Sequence, residues 1–146
     1  MKKFGFGKQA DIAMSQDASG DISSLEKGSY IYKATASYGQ GITATPLQMV
    51  NAINAIANRG NLMQPYIVEE IRYEDDSVEN FEATTLRKVI SDSTVAQISA
   101  MMVHVVDSGH AGKAGVEGYY VAGKTGTAQV ANENTGRYDA DKTIHN

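Results

Sequence analysis

Residues 45–60, TPLQMVNAINAIANRG, leave little choice of local structure. Thr45 can cap a helix, Pro46 suits the first helical position, where no N–H is needed, and Gln48 completes a T-x-x-Q capping box. Leu47, Val50, Ile53, Ile56 and Ala57 then recur at helical spacing, and Gly60 stands where a helix should stop. The pattern predicts a helix over Pro46–Asn58. A second helix is predicted to begin at Ser91–Ser93, with Val95, Ile98, Met102 and Val105 as its apolar face and Gly109 as its stop.

The rest is less strongly patterned. The stretch up to about Gly28 is rich in Gly, Ser and Asp and reads as loop with a short helical turn. Ser29–Gly41 mixes strand-forming residues with turn glycines, and Pro65–Tyr73 reads as a strand. The polar run Glu74–Lys88 looks like an exposed connection, with a hairpin excursion as one option. A glycine-rich run then leads into the strand-like YYVAGKTGTAQVA, and the last residues, NENTGRYDADKTIHN, carry turn chemistry and no core-closing pattern.

Composition excludes several classes. With 146 residues the chain can bury one modest core. Its net charge of −4 argues against nucleic acid as a partner. Without cysteine there is neither a disulfide framework nor a thiolate metal site. His104, His110 and His145 have no ligand spacing, so no metal or cofactor is implied. No apolar run approaches a membrane span and the first residues lack a signal-peptide core, so any export or anchoring signal is expected outside this chain.

Two stretches match nucleotide-binding patterns. Gly118, four residues, then Gly123-Lys124-Thr125 fits G-x-x-x-x-G-K-[ST]. A phosphate loop needs a tight wrap that opens into a helix, so that backbone N–H groups cradle the anion. Here the wrap would be Tyr119, Tyr120, Val121 and Ala122, mostly strand formers, and Gly126 would fall in the first helical turn. Alternation instead runs through the site, with Tyr119, Val121, Gly123, Thr125, Thr127 and Gln129 facing one way, and the strand reading is preferred. Gly39-Gln40-Gly41-Ile42-Thr43-Ala44 fits G-x-G-x-x-A, but the helix begins only after Thr45, and no acidic residue ends a second strand. A glycine turn feeding a capped helix explains it better.

An edge strand over Tyr119–Gln129 could do specific chemistry. Free backbone groups would pair with an extended peptide. Lys124 would supply positive potential for a terminal carboxylate, and Thr125 and Thr127 would add hydroxyl donors. Gly126 would let a ligand or a neighbouring element approach the backbone closely. The N–H of Thr127 could point at the oxygen of a carbonyl under attack, as part of an oxyanion hole. The plain alternative is an ordinary edge strand that exposes Lys124.

Several segments, in order, resemble the transpeptidase domain of class B penicillin-binding proteins. They are KKFGFGK, then ATASYGQGITATPLQMVNAINAIANRGNLMQPYIV, then MMVHVVDSGHAGKAGVEGYYVAGKTGTAQV, within which His110 stands where the family more usually has Thr. The resemblance implies an α/β (α+β) fold of the penicillin-binding protein and beta-lactamase type, incomplete here, with helices packed on a partial antiparallel sheet. It also implies a serine-type D,D-transpeptidase that cross-links peptidoglycan stem peptides outside the cytoplasmic membrane. Such an enzyme acylates a serine with the penultimate D-Ala of a stem peptide, releases the last D-Ala, and passes the acyl group to an amine of another strand. Beta-lactams imitate the D-Ala-D-Ala end and trap the acyl-enzyme. Lys124, Thr125, Gly126 and Thr127 match the K-[ST]-G motif and inherit the roles just described, Lys124 and Thr127 at the reacting centre; Gln129 would line the cleft. The parent protein is expected to be membrane-anchored and to work with cell-wall synthesis machinery.

The family chemistry also needs S-x-x-K, whose serine and lysine share one helix face, and S-x-N. Ser24-Leu25-Glu26-Lys27 fits the first pattern, but Gly28 follows at once, the flanks are not an apolar helix, and the place in the motif order is wrong. S-x-N does not occur. The chain is therefore expected to be residues 1–146 of a partial transpeptidase domain, the C-terminal-side middle portion, inactive and marginally folded alone. A non-catalytic remnant that binds stem peptide or beta-lactam is the alternative.

Overall fold

The computed structural model describes residues 1–12, 17–109, 111–132, 135 and 138–145. They form two compact units, Met1–Val95 and Ala96–Asn146.

In the first unit, helix α1 spans Tyr30–Ala36 and helix α2 spans Pro46–Ala57. Strand β1 (Asn61–Met63) pairs antiparallel with β4 (Thr85–Lys88), Asn61 opposite Lys88 and Leu62 opposite Arg87. Between them β2 (Glu70–Arg72) and β3 (Val78–Asn80) form a separate antiparallel hairpin. The predicted capping box is present: the Gln48 N–H donates to Thr45 Oγ1 at 3.1 Å, and Gln48 Oε1 accepts from the Thr45 N–H at 3.0 Å.

The unit closes around Ala55, Leu62 and Val89, with Phe4 and Ile90 packed against them. Gly60 makes that closure possible. Its φ of +83° turns the chain from α2 into β1, its N–H reaches the Ala55 carbonyl at 2.7 Å, and its own carbonyl accepts from Val89 at 2.8 Å. A Cβ there would lie 2.3 Å from the Ile90 carbonyl oxygen, a backbone atom that cannot step aside. Gly60→Ala is therefore expected to cost about 2 kcal/mol, from αL strain plus the clash, read as a lower midpoint in urea at unchanged slope.

Three sequence expectations are corrected. Tyr30–Ala36 is helical, not strand-like: Gly28 (φ +74°) breaks extended backbone before it, and the helix buries Ala36 and packs on the 3₁₀ turn Ser23–Glu26. The residues with β preference, Tyr30, Ile31 and Tyr32, remain exposed on this helix and do not decide its conformation. Of Pro65–Tyr73 only Glu70–Arg72 is strand, because only those residues find a paired partner, on β3. Thr85–Lys88, expected in an exposed connection, is the partner of β1. The hairpin excursion itself is real, with its turn closed by the Tyr73 N–H to the Ser77 carbonyl (3.0 Å) and Asp76 at φ +64°.

Helix α3, Asp92–Asp107, starts where predicted, with the Ser91 hydroxyl oxygen accepting from the Thr94 N–H at 3.2 Å. Lys88 Nζ, 2.9 Å from the Asp92 carboxylate, holds that carboxyl below its usual range. In the second unit α3 buries Val106, and β5 (Thr127–Ala131) pairs antiparallel with β6 (Tyr138–His145). The C-terminal residues, expected to carry turn chemistry, thus supply a strand: Thr127 lies opposite His145, Ala128 opposite Ile144 and Gln129 opposite Thr143. His110 lies outside the described residues.

Candidate functional site

The K-T-G residues lie at the entrance to β5 and not within it. The extended strand expected over Tyr119–Gln129 is corrected to Thr127–Ala131. Upstream backbone donors are used elsewhere: Tyr119 N–H reaches Val116 O (3.1 Å), Val121 N–H reaches Tyr119 O (3.2 Å), and Gly118 has φ +83°. Gly123 donates to the carbonyl of Met102 on α3 at 3.1 Å. With these three N–H groups bonded outside any ladder, the alternation over Tyr119–Thr125 is not paired as a strand.

Gly123 has a role that the sequence does not announce. A Cβ on it would sit 3.1 Å from Val106 Cγ2, so its absence lets the run-in backbone lie directly on α3. Three consecutive residues then lead into β5: Lys124 and Thr125 exposed, Gly126 half-buried. Lys124 Nζ donates to the Thr125 carbonyl at 2.6 Å and to Thr125 Oγ1 at 3.3 Å. Because Oγ1 accepts from the ammonium, the Thr125 O–H proton is left to be given outward. One exposed edge thus presents a cation and a hydroxyl donor side by side, a pairing suited to a carboxylate. Thr127 is the first residue of β5 and Gln129 the third. Among the described residues β5 has a strand partner on one edge only, β6.

The other candidates fall in the first unit. Ser24 lies in the 3₁₀ turn Ser23–Glu26 and donates its hydroxyl to the Gly41 carbonyl at 2.7 Å. Lys27 Nζ stands 5.8 Å from the Tyr32 ring centroid, a cation–π contact. The turn supplies no helix face to join Ser24 and Lys27 as S-x-x-K requires. Gly39 (φ +91°) and Gly41 (φ +74°) form the turn feeding α2, and residues 43 and 21 form an antiparallel bridge through Thr43 N–H to Asp21 O (2.8 Å) and Asp21 N–H to Thr43 O (3.0 Å). The Ser23 backbone N–H, 2.7 Å from Asp21 Oδ1, is the main reason that carboxyl sits below its ordinary range. This turn precedes a side-chain-capped helix and carries no phosphate-loop geometry.

Among the described residues no group of His, Cys, Asp or Glu could hold a metal ion, and no helix is long and apolar enough to cross a membrane.

Residues 1–146 match the family described as penicillin binding protein transpeptidase domain. The chain is 37% identical over 140 residues to stage V sporulation protein D of Bacillus subtilis, covering 94% of this chain and 21% of that protein. It is 31% identical over 137 residues to the peptidoglycan D,D-transpeptidase FtsI of Escherichia coli, covering 93% and 21%. The structure superimposes on penicillin binding protein 3 from Mycobacterium tuberculosis complexed with ampicillin, with TM-score 0.87, 31% identity, and coverage of 99% of this chain and 33% of that one. The chain therefore spans about a fifth of the length of these curated relatives.

Proposed function

Because this chain belongs to the penicillin-binding protein transpeptidase domain family, we propose that it supplies the substrate-binding segment of a serine D,D-transpeptidase acting on peptidoglycan stem peptides. The reaction takes place at the extracytoplasmic face of the cell membrane, and beta-lactams intercept it. The observation that carries this reading is the Lys124–Thr125 pair at the mouth of β5, an ammonium bonded to a hydroxyl whose own proton is free to donate.

In this reading a stem peptide lies along β5 with its terminal carboxylate at Lys124 and Thr125. A serine outside these residues attacks the penultimate D-Ala carbonyl. The new C–O bond forms as the D-Ala–D-Ala amide breaks, and the last D-Ala leaves carrying the proton on its amine. The Thr127 N–H, at the strand's first position, would face the oxygen that becomes negative during attack. Fixed N–H dipoles there act without reorganising, which is where transition-state charge is stabilised most. Similarity to a named D,D-transpeptidase and to an ampicillin-binding structure supports the reading.

The test is a chimera in which this chain replaces the matching segment of Bacillus subtilis stage V sporulation protein D. The folded chimera is expected to become covalently labelled by a fluorescent penicillin and to release D-Ala from a pentapeptide stem. A chimera with native-like thermal unfolding that takes up no label would sink the reading.

A further inference from the structure

Two glycines in the run-in to β5 are there for different reasons. Gly118 has φ +83° and nothing within 4 Å of where a Cβ would stand, so its backbone conformation calls for glycine. Gly123 is not among the glycines of positive φ, so alanine could adopt its backbone conformation. What excludes a side chain there is space. The Cβ would stand 3.1 Å from Val106 Cγ2, inside the ~3.5–4.0 Å of ordinary carbon contact. Val106 is poorly placed to step aside: it is 2% exposed, and a β-branched side chain in a helix has one strongly preferred χ1. Its other methyl, Cγ1, would lie 3.9 Å from a Cβ on Gly115, so the segment leading to K-T-G passes both of its branches.

Val106 also shares a turn of α3 with Met102, whose carbonyl accepts from the Gly123 N–H at 3.1 Å. One helical turn therefore meets Gly123 through a methyl and a carbonyl together, which gives the backbone a seat of defined depth. Lys124 is the next residue, and its described side-chain bonds go no further than Thr125. Lys124, Thr125 and Gly126 bridge from this seat to Thr127, where pairing with β6 begins opposite His145. We propose that Val106 and Gly123 are positioning residues for acylation: the fit of the Val106 methyl against a residue without a side chain sets where the Lys124 ammonium and the Thr125 hydroxyl stand. The proposal rests on the functional reading above, because it takes acylation to be what that position serves. A Cβ at position 123 lifts the run-in by about 0.5 Å to restore ordinary contact. Val106→Ala makes the opposite error, a gap into which the run-in sinks. Combined, the two changes restore contact.

In the chimera with stage V sporulation protein D, held at a temperature where every variant is folded, the rate of fluorescent penicillin uptake reads position and the final labelled fraction reads folding. A misplacement on the order of 1 Å can cost about 100-fold in rate, so Gly123→Ala and Val106→Ala should each slow uptake about tenfold with the final fraction unchanged. The double variant should return to within about threefold of the parent, where two independent losses would multiply to about 100-fold. Amide exchange at position 123, followed by mass spectrometry of the peptide that contains it, should be slow in the parent, about tenfold faster in Gly123→Ala, and slow again in the double variant. Uptake by Gly123→Ala at the parent's rate would overturn the proposal, as would a double variant no faster than the single ones. A lower final fraction at an unchanged rate would also overturn it, because folding alone would then have changed. A parent chimera that takes up no penicillin, with exchange at position 123 in the expected order, overturns the functional reading alone. One that takes up penicillin while rate and exchange ignore both substitutions overturns the seat alone, and one that shows neither uptake nor that order overturns both.

Discussion

Lys124→Ala in the chimera is expected to slow acylation by a fluorescent penicillin between about 10- and 100-fold. A hydrogen bond to a charged partner contributes about 1.5–3 kcal/mol, and each ~1.4 kcal/mol is a factor of ten in rate. Two effects add at this residue. The ammonium would attract the ligand carboxylate directly, and its contact with Thr125 Oγ1 (3.3 Å) holds the hydroxyl as a donor toward that carboxylate. Thr125→Val, which removes only the donor, should therefore slow acylation less, about tenfold. Because Lys124 is exposed and its described bonds reach only the adjacent residue, the thermal midpoint should hardly move. An acylation rate for Lys124→Ala within threefold of the parent would remove Lys124 from the site, whatever the motif says.

Gln48→Ala should be the most destabilising of the substitutions considered, by about 2–4 kcal/mol in urea unfolding of the chimera. The Gln48 amide donates to the carbonyls of Lys8 and Ser19 at 2.7 Å each, with Gly5 O at 3.5 Å, while its oxygen caps the Thr45 N–H. One side chain thus fastens the N-terminal segment to the start of α2. Truncation strands those backbone groups at a position only 3% exposed, each costing about 1–3 kcal/mol if left dry. The adjacent cavity of about 210 Å³, which Gln48 helps to line, offers room for water and keeps the sum below the full penalty. Thr45→Ala loses only the cap and should cost about 1 kcal/mol. Gln48→Glu separates the two roles. It keeps the acceptor for Thr45 but sets a carboxylate against the Lys8 and Ser19 carbonyls, raising its folded-state pKa. Its destabilisation should therefore be full at neutral pH and ease as pH falls through that raised value, when the protonated acid can donate again. A cost for Gln48→Ala under 1 kcal/mol would mean that the N-terminal segment is held by other contacts.

How much of this was legible beforehand follows from the range of each interaction. The box around Thr45 and Gln48 closes within four residues, so four letters specify it, and the structure has it as written. The same holds for the start of α3 near Ser91–Ser93 and its stop near Gly109. The membership of the family was readable because ordered motifs are themselves sequence facts. The limits of the K-T-G strand were not. Val121 and Thr125 look like strand wherever they occur, yet only contact with Met102 and Val106 of α3 decides that the sheet starts at Thr127.

The sequence by itself determined where α2 and α3 begin and end, that a cation and hydroxyls flank Gly126, and that no thiol chemistry is available. Only the tertiary structure decided that Leu62 pairs opposite Arg87, that the polar residues 138–145 form a strand beside β5, and that Gln48 with two alanines is the buried side of α2. The physical reason is the same in each case. Capping and helical stops are local hydrogen bonds between near neighbours, whereas strand register and burial depend on which distant partners arrive, and a helix with apolar residues on more than one side carries no mark of which side is covered first.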